Sequence, residues 1–72
     1  MNPTITFKLS QEFIPLIQLL KYVGIANTGS EASYLVDSGQ VLCNNFVETR
    51  KRYKVKQGDI ILVSNRKIEV VI

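Results

Sequence analysis

Residues 50–56 read RKRYKVK, the densest cluster of positive charge in the 72-residue chain. Five of the nine Lys and Arg residues fall within these seven positions, although the whole chain carries only +3 and a sequence pI of about 9.3. A local concentration of one sign makes a field that captures polyanions. If the stretch is extended, Arg50, Arg52, Lys54 and Lys56 project from one face, about 6.6 Å apart at a rise of about 3.3 Å per residue. That is close to the distance between successive phosphates in an extended nucleic-acid strand. Tyr53 and Val55 then face a core, or Tyr53 stacks on a base. A solvated edge strand kept apart from its neighbours by lysines carries the same charges. The two arginines favour phosphate, because the planar guanidinium fork matches phosphate oxygens.

Other chemistry is sparse. The chain has no histidine, which removes the commonest general base and metal ligand. One cysteine and no histidine make no zinc site and no intramolecular disulfide. The serines have no evident activating base, and glycines 24, 29, 39 and 58 form no phosphate-binding loop of the G-x-x-x-x-G-K-[ST] kind. The six carboxylates are scattered singly. Cys43, beside a turn, reads as a buried structural thiol. The expectation is a protein that is not an enzyme and uses no cofactor and no metal. A hydrophobic content of 46% excludes disorder. The longest apolar run, Phe13 to Ile17, is short against the roughly 20 residues of a membrane span. With no signal peptide legible in MNPTITFKL, a soluble cytoplasmic protein of one domain, residues 1–72, is expected.

The elements that must position the basic stretch follow from periodicity. Thr4 to Leu9 alternates, with Ile5, Phe7 and Leu9 on one face of a strand. A first helix is expected from near Phe13, with Pro15 in its first turn and Phe13, Leu16, Ile17, Leu20 and Val23 as its apolar stripe. Lys21 and Tyr22 lie off that stripe, and Gly24 ends the helix. Thr28 and Glu31 spell a capping box for a second helix from Gly29 to Ser38, whose apolar face is Ala32, Leu35 and Val36. Ser30, Tyr34 and Asp37 point the other way. The start of this helix, with Asn27, Thr28 and Ser30, offers N–H groups and hydroxyls to a phosphate, although the same residues serve plain capping and Glu31 already answers the dipole. Val41–Cys43 and Phe46–Glu48 form a hairpin around Asn44-Asn45, since Asn tolerates the positive φ that a two-residue loop demands. Either face of that hairpin can be the buried one. Gly58-Asp59 turns into Ile60–Val63, an apolar run typical of a central strand. Ser64 to Arg66 turns again into a last strand with Ile68, Val70 and Ile72 on one side. The order predicts an α+β fold, two helices packed on a small, mostly antiparallel sheet of four to five strands.

The run from Thr28 to Arg52, TGSEASYLVDSGQVLCNNFVETRKR, followed by GDIILV from Gly58, resembles the RNA-binding domain first named after small-subunit ribosomal protein S-four. The pattern of that family is S-R-x-x-A-R-x-L-I-x-x-G-x-V-x-V-N-G and then V-x-x-G-D-x-I. Ala32, Leu35, Val36, Gly39, Val41, Asn44, Gly58, Asp59 and Ile61 match it. The segment Val47 to Arg52 resembles the small stand-alone bacterial members of the YbcJ-like subfamily. The resemblance covers the chain from Leu16 onward. It implies an αL motif, an L-shaped RNA-binding surface of two helices and a hairpin. Carried over, it points to Thr28, Ser33, Gln40 and Asn44. Arginines of the family pattern are replaced by Gly29 and Ser33, and its turn glycine by Asn45. The cluster Arg50, Lys51 and Arg52 is expected to compensate.

The combined expectation is a non-catalytic module binding structured ribosomal or transfer RNA through backbone phosphates and shape. Its contacts would be Lys21, Asn27, Thr28, Ser30, Ser33, Gln40, Asn44, Arg50, Lys51, Arg52 and Lys54. The ribosome or a ribosome-associated protein is a further expected partner, and a membrane is not. The alternative is a protein-interaction module that docks its basic strand on an acidic partner in a ribosome-associated assembly.

Overall fold

The computed structural model describes residues 4–72; the reading of the first three residues as part of no leader segment lies outside them. In chain order the elements are β1 (Thr4–Lys8), β2 (Ile14–Pro15), α1 (Leu16–Tyr22), α2 (Gly29–Asp37), β3 (Leu42–Cys43), β4 (Phe46–Val47), β5 (Lys54–Val55), β6 (Ile60–Val63) and β7 (Arg66–Val71). Five strands form one mixed sheet in the order β1-β7-β6-β3-β4, and β2 pairs with β5 separately. Among the described residues only β1 and β7 run parallel; the other pairs are antiparallel. The α+β architecture is the one expected from the pattern.

The first helix begins later than its apolar spacing suggests. Proline pushes the preceding residue out of the helical region, so Ile14 is extended and pairs with Val55. Pro15 is the N-cap, at φ −60° and ψ 140°, and α1 starts at Leu16. The buried stripe is therefore Leu16, Leu19 and Leu20; Phe13, Ile17 and Val23 are only partly covered. Pro15 has no side chain to satisfy the first helical N–H groups. Main-chain carbonyls from residues 51 and 53 do so instead: Leu16 N–H donates to Tyr53 O at 2.9 Å and Ile17 N–H to Lys51 O at 3.2 Å.

The second helix is built as its sequence dictates. Thr28 Oγ1 accepts from Glu31 N–H at 3.1 Å, and Glu31 Oε1 reaches back past Thr28 to Asn27 N–H at 3.3 Å. Ala32 and Val36 are fully buried in the core on the side of α2 that packs against α1. One face of the sheet adds Cys43, Ile61, Val63, Ile68 and Val70, and Leu9, Ile14, Ala26, Val41 and Val55 complete the core. The opposite face is open, so β6 alternates in burial although its sequence is wholly apolar, and Ile60 is 37% exposed. The two-faced hairpin is settled by its neighbour: Cys43 pairs with Ile61 and points inward. Its other partner, Phe46, shares that face but stands beyond the helices and is 77% exposed.

Candidate nucleic-acid interface

The basic stretch is not an extended strand. Tyr53 N–H donates to Arg50 O at 3.1 Å, closing a turn, and only Lys54 and Val55 pair in a sheet. The evenly spaced row of cations is thereby replaced by a cluster. Arg50, Arg52, Tyr53, Lys54 and Lys56 line one shallow hollow around that turn. The carbonyls of residues 51 and 53, on either side of Arg52 in this turn, are the ones that accept at the start of α1.

The cations of this cluster are not equivalent. Arg50 grips Glu48 with Nε at 2.8 Å from Oε2 and Nη2 at 3.1 Å from Oε1, and its own N–H donates to Oε2 at 3.0 Å. The side-chain hydrogen bond from Arg50 holds the Glu48 carboxyl below the usual range, and Glu48 holds the guanidinium above its own. Lys51 Nζ lies 3.2 Å from Asp37 Oδ2 at the end of α2. Lys54 Nζ stands 5.0 Å from the centre of the Phe13 ring. Arg52 and Lys56 enter no ion pair among the described residues. The charge free to meet an anion is thus centred on Arg52, Lys54 and Lys56 rather than on Arg50 and Lys51.

A hub outside the expected contacts holds the turn in place. Asp59 Oδ2 accepts from Tyr53 Oη at 3.1 Å and from Lys56 N–H at 3.0 Å, and its Oδ1 accepts from Asn44 Nδ2 at 3.1 Å. Asn44 Oδ1 in turn accepts from Ile60 N–H at 2.9 Å. One carboxylate therefore ties the hairpin tip, the basic turn and the start of β6 together. Hydrogen bonding with the Cys43 thiol, burial and the Asp59 carboxylate together push the Tyr53 phenol well above its ordinary value. Burial raises the Cys43 thiol as well, so it is a poor nucleophile. The signal for the hub was the Gly-Asp turn, which reads as a chain reversal and gives no hint of three acceptances.

The expected contact residues fall in five places. Ser30 and Ser33 line a second hollow with Ile17, Gly29, Tyr34 and Asp37, on the outward face of α2. The Lys51–Asp37 pair joins this hollow to the basic turn, so Arg50, Lys51, Arg52, Lys54, Ser30 and Ser33 belong to one surface. Asn27 and Thr28 lie at the start of α2, their groups engaged with Glu31. Gln40 belongs elsewhere: Nε2 donates to Ser38 Oγ at 2.8 Å, and the residue lines a hollow with Leu62, Asn65 and Arg66. Lys21 lies beside Gln18 and Tyr22 on α1. Asn44 is exposed, but both ends of its amide are bound within the protein. At Gly29 a Cβ would meet no heavy atom within 4 Å, so the backbone leaves room for a side chain to start where the family pattern has arginine.

No group of three metal-ligating side chains occurs among the described residues, and none of their helices is long and apolar enough to cross a membrane. Two helices, a hairpin and an adjoining cationic turn on a small sheet define an S4-type domain. The model of the S4 domain family matches residues 7–71, and the chain belongs to that family. Among its relatives is YbcJ of Escherichia coli (strain K12), named as a candidate RNA-binding protein, which is 34% identical over 67 residues, 92% of this chain and 96% of the relative. YbcJ of Shigella flexneri, given no function by its name, matches at the same identity and coverage. The solution structure of YbcJ from E. coli, described as revealing an αL motif involved in RNA-binding, aligns with a TM-score of 0.73 and 34% identity over 93% of this chain and 86% of that one. The fold of this chain is thus the αL fold.

Proposed function

We propose that the chain is a non-catalytic RNA-binding module of the bacterial cytoplasm that recognises structured RNA, of the ribosomal or transfer class, by backbone and shape. The observation that carries this reading is the placement of Arg52, Lys54 and Lys56 around one hollow, next to the polar and aromatic outer face of α2. Cations fix the register on phosphates, while Ser30, Ser33 and Tyr34 supply hydroxyls and a ring for sugar and base edges. The αL fold shared with YbcJ, a candidate RNA-binding protein, supports the same assignment.

The test is fluorescence anisotropy with a hairpin RNA, an unstructured RNA and a DNA duplex across a salt series. The hairpin is expected to bind preferentially, with log K falling on a slope of about −3 against log salt. Arg52→Ala combined with Lys56→Ala should weaken hairpin binding about tenfold and flatten that slope by about two units. Gly29→Arg, whose Cβ meets no heavy atom within 4 Å, should strengthen it. Equal weak binding to all three polymers, unaffected by the double substitution, would refute the reading and point to an acidic protein partner.

A further inference from the structure

We propose that the binding surface continues across Phe13 into a second, aromatic-walled cleft that takes an unpaired stretch of the same RNA, with a base stacked on Tyr22. The inference rests on the RNA reading and adds to it the kind of RNA required, a structured element with an adjoining single strand. The cleft lies between the end of β1, the loop leading to β2 and the outer side of α1, where Phe7, Lys8, Gln11, Phe13, Gln18 and Tyr22 line it.

Tyr22 is 73% exposed, well off the buried stripe of α1, so its ring contributes little to the core. Phe7 braces it from one side, with ring centres 6.1 Å apart and planes tilted by 46°. A braced ring with a wet face is a stacking platform for any base, because every base has a π face. The charge around it suits a polyanion. Lys8 lies in the cleft wall, Lys21 flanks Tyr22 in the adjoining hollow, and no carboxylate lines either depression among the described residues. The Gln11 and Gln18 amides add donors and acceptors for base edges.

Continuity with the basic turn comes from a single contact. Phe13 forms part of the cleft, and Lys54, whose ammonium sits over that ring, belongs to the hollow of Arg52 and Lys56. A strand leaving the structured RNA at Lys54 therefore passes directly over Phe13 toward Tyr22. The same geometry explains why Lys21, expected as a contact, stands apart from the α2 surface.

The experiment compares a blunt hairpin RNA with the same hairpin carrying an unpaired extension of about six nucleotides, for the full chain and for Tyr22→Ala and Tyr22→Phe. The extension should raise affinity about tenfold, within the range of one stacked base. Tyr22→Ala should abolish that gain and leave the blunt hairpin unaffected, and Tyr22→Phe should retain it. An extension that adds nothing, a gain that survives Tyr22→Ala, or an equal loss on both RNAs overturns the cleft while the blunt hairpin still reports on the basic turn. A wild-type chain that binds neither RNA overturns the cleft together with the RNA reading.

Discussion

The Asn44-Asn45 and Ser64-Asn65 turns have nearly the same backbone and different duties. Both are two-residue loops with positive φ at each position, 51° and 75° in the first and 52° and 59° in the second. The second joins β6 to β7, two longer strands in the middle of the sheet, and reverses the chain there. The first joins strands of two residues each, and β4 lies at the edge with Phe46 and Val47 exposed. So short a hairpin has little cross-strand pairing to hold it. Beyond the pairing of β3 with β6 and the bond from Asn44 N–H to Ile60 O at 2.8 Å, it is held by the Asn44 amide, bonded to Asp59 and to the N–H of Ile60. The lesson is that a turn beside a candidate site is fixed by long-range side-chain bonds, whereas a turn in the scaffold is fixed by its strands.

The strongest way to break this contrast is Asp59→Ala. It deprives Tyr53, Lys56 and Asn44 of a shared acceptor, and should cost about 2 kcal/mol in urea unfolding, since a part-buried hydroxyl loses its partner. A loss of a few tenths would show that the hairpin and the basic turn are held by packing alone. A finer comparison places glycine at matched positions. Glycine accepts φ near 50° without strain, so only the side chain is removed. Asn44→Gly should destabilise by about 1 kcal/mol through its lost hydrogen bonds, and Ser64→Gly should be neutral or stabilising. Equal effects would erase the distinction between the turns.

The smallest effect concerns acid. Arg50 holds the Glu48 carboxyl below its ordinary value, so the folded chain favours the ionised form. That contribution is present above the unfolded value of about 4.3 and is lost as pH falls through the lower, folded one. Glu48→Gln should therefore melt below the wild type near neutrality, and the two melting temperatures should converge toward about pH 3. A constant gap over that range would show that the pair plays no part.

Particular residues explain what was legible in the sequence. The capping box at Thr28 and Glu31 and the apolar positions Ala32 and Val36 are local signals, and α2 follows them to within a residue. The Asn-Asn turn was legible for the same reason. The start of α1 was not, because the apolar spacing of Phe13 masks the constraint that Pro15 places on Ile14. The basic stretch misled more deeply. Its alternation of Arg52, Tyr53, Lys54 and Val55 reads as a strand, yet the chain turns from Arg50 to Tyr53 and lays its carbonyls at residues 51 and 53 on the start of α1, a long-range contact with no local signal. Which cations stay unpaired depended on Asp37 and Glu48, and Asp37 becomes a neighbour of Lys51 only in the folded chain.

The main-chain capping of α1 divides backbone duty from side-chain duty. The carbonyls of Lys51 and Tyr53 close the helix whatever side chains those positions carry. A substitution that leaves the main chain in place therefore changes the side chains of this turn without removing the acceptors of the helix behind it. Closing the helix and choosing the charge at its doorstep are separate variables of the chain.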